Sequence, residues 1–130
     1  MNETELWRIQ HMLNSAKEAQ TFIQGLTREV LNTDRKLVLA LAMEITIIGE
    51  AAARIPKESL LSYPDIPWSS ITGMRNIIVH AYFKIDLDAL WEAVTISLTE
   101  LILNFKPFLT MNDAYQPRHR IDANFRLHGC

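Results

Sequence analysis

The sequence predicts an all-α protein, an up-and-down bundle of four main helices with short helical segments between them. Three observations carry this expectation. Apolar residues recur at steps of three and four along most of the chain. Prolines and glycines mostly punctuate those runs. No stretch alternates polar with apolar residues convincingly, as a half-buried strand would. The 130 residues suit one compact domain able to bury a core without disulfides or metal. A content of 48% apolar and 22% charged residues is that of a folded chain.

The elements follow in order. Residues 4 to 24 carry Leu6, Ile9, Leu13, Ala16 and Ala19 on one face, with Gly25 just beyond as a helix stop. After a short turn, Thr33 or Asp34 can cap a second helix that runs to about Ile55, where Pro56 forbids continuation. From Leu37 to Ala53 this helix is apolar nearly all round, so it is expected at the centre, buried on several sides. Gly49 and Ala51 to Ala53 would let neighbours pack closely. Glu50 and Arg54, four apart, are expected to pair, a contact worth about 0.2 to 0.5 kcal/mol. Glu44 and Glu50 either hydrogen-bond within the core, the favoured reading, or reach a cleft from behind. Pro67 fits the first turn of a third helix over about Pro67 to Phe83, with Trp68, Ile71, Met74 and Ile78 at helical steps. Asp86 caps a fourth, whose apolar face of Leu87, Leu90, Trp91, Val94, Leu98, Leu101 and Ile102 is expected to end at Pro107.

Composition narrows the function. The start, MNETELWRIQ, has neither the basic region nor the apolar region of a secretory signal, so export is not expected. The longest apolar stretch, Leu37 to Met43, stops at Glu44, well short of the roughly 18 residues of a membrane span. The single cysteine, Cys130, permits no internal disulfide and suits a reducing cytoplasm. A net charge of −2 argues against a broad basic surface for duplex nucleic acid, so DNA is not expected as a partner. Residues 106 to 130 are mildly basic, with 4 Lys and Arg against 2 Asp and Glu. Arg118, His119, Arg120, Arg126 and His128 there could touch a phosphate backbone, but a solvated tail is the favoured reading. His11, His80, His119 and His128 lack the close spacing of a zinc site and there is no CxxC, so neither metal nor cofactor is expected. Glycine-rich phosphate loops and Gly-x-Ser-x-Gly elbows are absent.

The stretch GMRNIIVHAY at 73 to 82 carries the chemistry. Projected as a helix at about 100° per residue, Met74, Ile77, Ile78 and Ala81 make an apolar stripe for the core. Arg75, Asn76, His80 and Tyr82 gather on the side turned away, among Val79 and Phe83 and without the lysines and glutamates of a solvated face. Gly73, disfavoured by about 1 kcal/mol in a helix relative to Ala, makes sense where another backbone or a substrate comes close. These groups suit phosphodiester cleavage without metal. An imidazole of pKa near 6.5 can take a proton from a ribose 2′-hydroxyl, and an arginine can stabilise charge on the phosphoryl oxygens. One copy supplies a single proton-transfer group where two are best, so a homodimer with a composite cleft is what the mechanism asks for.

Arg75-Asn76-Ile-Ile-Val-His80 matches the R-x4-H signature of the HEPN superfamily of ribonucleases, and with Tyr82 it becomes R-x4-H-x-Y, which resembles the HepT-like toxin branch. IPW at 66 to 68, GMRN, HAYF, Ile85-Asp86, Leu90-Trp91 and IGEAA at 48 to 52 add to the resemblance, which covers about residues 1 to 108 and leaves 109 to 130 as a tail. The resemblance implies a homodimeric ribonuclease toxin acting on RNA, paired with a minimal nucleotidyltransferase antitoxin that transfers AMP to the motif tyrosine. It makes Arg75 and His80 catalytic, Asn76 and Gly73 supporting, and Tyr82 the AMP acceptor. On one helix, Tyr82 would nearly eclipse Arg75 and set a nucleotide across the cleft. The alternative from another class is a helical adaptor without catalysis, which binds a nucleotidyltransferase or a nucleotide through the same face.

Overall fold

The computed structural model of the chain describes residues 2–79 and 84–111, and it is mostly helical. Helix α1 spans Glu3–Phe22. The Asn2 side chain accepts from the Glu5 backbone N–H at 2.9 Å, and Glu3 and Glu5 lie in the first turn where the helix dipole favours carboxylates. The chain then reverses at Gly25, whose φ of 78° is left-handed, and the Leu26 N–H donates to the Ile23 carbonyl at 2.9 Å. A 3-10 turn, Arg28–Asn32, leads to α2, Arg35–Ala53, capped by Asp34 accepting from the Leu37 N–H at 3.0 Å. Pro56 ends α2 as expected and then precedes a short helix that the sequence did not announce, α3, Lys57–Leu61. Ser59 pins it by donating to the buried Glu5 carboxylate at 2.6 Å.

The third helix departs from expectation. Helix α4 is only Trp68–Gly73, starting just after Pro67, and it tightens into a 3-10 turn, Met74–Ile77. The backbone then extends as β1, Ile78–Val79, which pairs antiparallel with β2, Lys84–Ile85, in the register Ile78 to Ile85 and Val79 to Lys84. The reason is local: Ile77, Ile78 and Val79 are three successive β-branched residues, stiff at χ1 and at ease in an extended backbone. The single helical projection of residues 73 to 82 therefore fails beyond Ile77. The expected course to Phe83 lies, over its last four residues, outside those described.

Asp86 caps the last long helix, accepting from the Ala89 N–H at 3.1 Å. This helix is α5, Leu87–Glu92, a widened π turn, Ala93–Ser97, and α6, Leu98–Met111. Across the π turn the Thr95 hydroxyl donates to the Trp91 carbonyl at 2.7 Å, and the Val94 carbonyl takes a 3.1 Å bond from Gln20 of α1. Pro107 does not end the helix, which continues to Met111. An interior proline costs about 3 kcal/mol. Phe105, two residues before it, is fully buried with its ring 5.5 Å from that of Trp68, and this packing holds the segment in place.

The core lies where α1, α2 and α6 meet: Met12, Leu13, Ala16 and Ala19 against Leu41, Ile45 and Ile48, closed by Leu98, Leu101 and Phe105. Each large aliphatic chain buried there contributes about 1.5 to 3 kcal/mol. Helix α2 is not buried on all sides. Leu39, Met43 and Ile47, at successive steps of four, are 50%, 60% and 36% exposed. Among the described residues no helix is long and apolar enough to cross a membrane.

One core position is ionisable. Glu44 of α2 is 5% exposed and faces Ser15 and Glu18 of α1. Burial, then a hydrogen bond with the Glu18 carboxyl and its charge, push the Glu44 pKa up to about 8, against a smaller opposing effect of Ser15. The folded state thus holds a proton that the unfolded chain releases near pH 4.5. The stability this confers is full below about 4.5, falls as pH rises, and is gone above about 8. Glu44→Gln should flatten the decline of Tm with pH over that window. Parallel pH profiles of wild type and variant by thermal unfolding would refute this assignment.

Candidate active site at the end of the central helix

Trp68 and Ile71 of α4 and Met74 of the 3-10 turn are buried, which anchors one side of this segment to the core and leaves Arg75 and Asn76 on the other. Arg75 crosses α2 at Gly49, a buried residue in mid-helix. A Cβ at Gly49 would lie 3.1 Å from the Arg75 Cβ and 3.4 Å from the Thr72 carbonyl oxygen. The missing side chain is therefore what admits the arginine. Beyond the crossing, the Arg75 guanidinium donates to Glu50 Oε1 at 2.7 Å, with the two side chains 39% and 51% exposed.

This corrects two expectations. Glu50 pairs with Arg75 and not with Arg54, because Arg75 arrives directly over Gly49. Glu50 also reaches the candidate site, while Glu44 stays in the α1 to α2 contact as the favoured reading had it. Gly73 has no atom within 4 Å of where its Cβ would be, so the close approach inside the chain is made at Gly49 instead. Asn76 is exposed beside Arg75. His80 and Tyr82 lie outside the described residues, and the expected eclipse of Tyr82 on Arg75 loses its basis because residues 78 and 79 are extended.

The pair with Glu50 is exposed, and such pairs are worth about 0 to 1 kcal/mol. It orients the guanidinium without holding it from a competing anion, and a phosphate can take two parallel hydrogen bonds from the same fork. Glu50 was the residue that sequence reasoning placed wrongly. Its signal was there: a glycine inside an otherwise well-packed helix marks a crossing, and the polar residue beside it faces whatever crosses.

A mostly helical domain thus turns an arginine outward at the head of an Arg-x4-His segment. The chain belongs to the ribonuclease HepT-like family, whose model matches residues 12–107. It is 36% identical over 86 residues to the probable ribonuclease HepT of Thermococcus cleftensis, covering 63% of this chain and 78% of that protein. It is 30% identical over 101 residues to a candidate RNase of Caldanaerobacter subterraneus subsp. tengcongensis, covering 78% of this chain and 90% of the relative. No solved structure matches it.

The crossing separates packing from charge. Gly49→Val should destabilise the fold by about 1 to 3 kcal/mol through overpacking against Arg75. Glu50→Gln should change stability by less than about 1 kcal/mol. Urea unfolding of both variants decides; a larger loss for Glu50→Gln would mean that the ion pair, not the glycine, seats the arginine.

Proposed function

We propose that the protein is an endoribonuclease toxin that cleaves RNA by transesterification without a metal, in a cleft shared by two copies of the chain. The observation that carries this is the outward Arg75 guanidinium, seated over Gly49 and, among the described residues, tethered by an exposed carboxylate. In the reaction, His80 removes the proton from a ribose 2′-hydroxyl, and the 2′-oxygen attacks the adjacent phosphorus. Arg75 stabilises the charge that builds on the phosphoryl oxygens, and Asn76 supports the phosphate. The 5′-oxygen leaves with a proton from the second copy's imidazole, so the products are a 2′,3′-cyclic phosphate and a 5′-hydroxyl.

The surface of α2 supports the two-copy arrangement. Leu39, Met43 and Ile47 form an exposed apolar stripe, and at about 100° per residue it leads toward Glu50. A second copy docked on this stripe would bring its own Arg75 toward the first, in the self-complementary contact of a two-fold dimer. Silencing is assigned to a minimal nucleotidyltransferase that adds AMP to Tyr82. A phosphodiester there would add a bulky anion within the Arg-x4-His-x-Tyr motif and exclude RNA.

Arg75→Ala and His80→Ala should each lower the cleavage rate of total RNA by about a hundredfold or more, with EDTA without effect and cyclic phosphate ends on the products. Equal cleavage by wild type and both variants would leave the non-catalytic adaptor as the better account. Co-expression with the nucleotidyltransferase should add multiples of AMP to the intact mass, and Tyr82→Phe should abolish the addition; persistence in that variant would move the acceptor elsewhere.

A further inference from the structure

With a net charge of −2, the chain lacks the broad basic surface that would hold RNA in place while it is cut. A local one exists. Helices α1 and α2 enclose a groove of about 260 Å³ that includes Trp7, Arg8 and His11 on one side and Ile47, Glu50 and Arg54 on the other. Trp7 and His11 pack ring on ring, 4.3 Å between centroids at 57°, so the indole is braced. Neither Arg8 nor Arg54 has an ion-pair partner among the described residues. The single carboxylate of the set, Glu50, is engaged at 2.7 Å by Arg75. One side chain therefore belongs both to the groove and to the candidate active site.

We propose that this groove is an RNA subsite, gripping one unpaired nucleotide next to the scissile phosphate, with its base on Trp7 and the flanking backbone phosphates on Arg8 and Arg54. The proposal rests on the ribonuclease reading and adds where substrate is held. The chemistry matches a single strand: an aromatic platform accepts any base face, and free guanidinium groups follow the backbone. The size matches too. Pockets that enclose whole small ligands run to roughly 300 to 1,000 Å³, and this groove is smaller, right for one base and not for a complete nucleotide cofactor. Because Glu50 binds Arg75, a nucleotide seated there carries its phosphate toward the guanidinium and displaces the weak carboxylate contact.

The test measures binding of a short fluorescein-labelled single-stranded oligoribonucleotide to the full-length His80→Ala protein, by anisotropy over a series of salt concentrations. Trp7→Ala added to this background should weaken binding about tenfold or more, while Trp7→Phe should retain most of it. Arg8→Gln and Arg54→Gln should each reduce the slope of log Kd against log salt by about 0.7. In cleavage-competent protein the losses should fall on KM more than on kcat. Unchanged affinity and slope across these variants would overturn the subsite. So would a loss of dimer mass in sedimentation with RNA binding restored at high protein concentration, which would make the groove a contact between copies. If wild type neither binds nor cuts RNA, the ribonuclease reading falls first, and this proposal with it.

Discussion

Arg75 reaches solvent by passing over the one position in the second half of α2 that has no side chain. A Cβ at Gly49 would crowd the arginine's own Cβ at 3.1 Å and touch the Thr72 carbonyl at 3.4 Å, so any other residue there pushes the 3-10 turn away from the central helix by a few tenths of an ångström. The geometry of the candidate site depends on that crossing. It brings the guanidinium to Glu50, and Glu50 joins the arginine to the groove between α1 and α2. The rest of the bundle, with its buried faces of α1, α2 and α6, keeps the two backbones in register.

Two carboxylates six residues apart on α2 show how position along one helix sets chemical behaviour. Glu44 is shut into the contact with α1 beside another carboxylate, and burial makes the protonated form the stable one near neutral pH. Glu50, half exposed, faces the Arg75 guanidinium in a surface contact worth about 0 to 1 kcal/mol. Neither role can be assigned from residue type. Each follows from which neighbouring segment lies over that turn of the helix.

The helix pattern is interrupted at two places. Three β-branched residues end the 3-10 turn and hand the chain to an extended segment, so the Arg-x4-His stretch bends where a continuous helix would have run straight. A π turn widens the last long helix at Ala93–Ser97, and Gln20 and Thr95 take up carbonyls there. The buried Phe105 carries the same helix through Pro107.

The amino-acid sequence by itself determined the helical class, a cap at Thr33 or Asp34, of which the structure uses Asp34, the cap at Asp86, the glycine turn at Gly25, the stop at Pro56 and the Arg-x4-His motif. These depend on periodicity and on side chains acting within a few residues of themselves, which a linear pattern displays. Only the tertiary structure decided that Glu50 holds Arg75 and not Arg54, that Gly49 is the crossing point, and that Trp7, Arg8 and Arg54 share one groove. Those contacts join residues dozens of positions apart, and a linear pattern of periodicity and caps does not display them. They follow from how the large apolar faces pack, and that packing is a property of the whole chain.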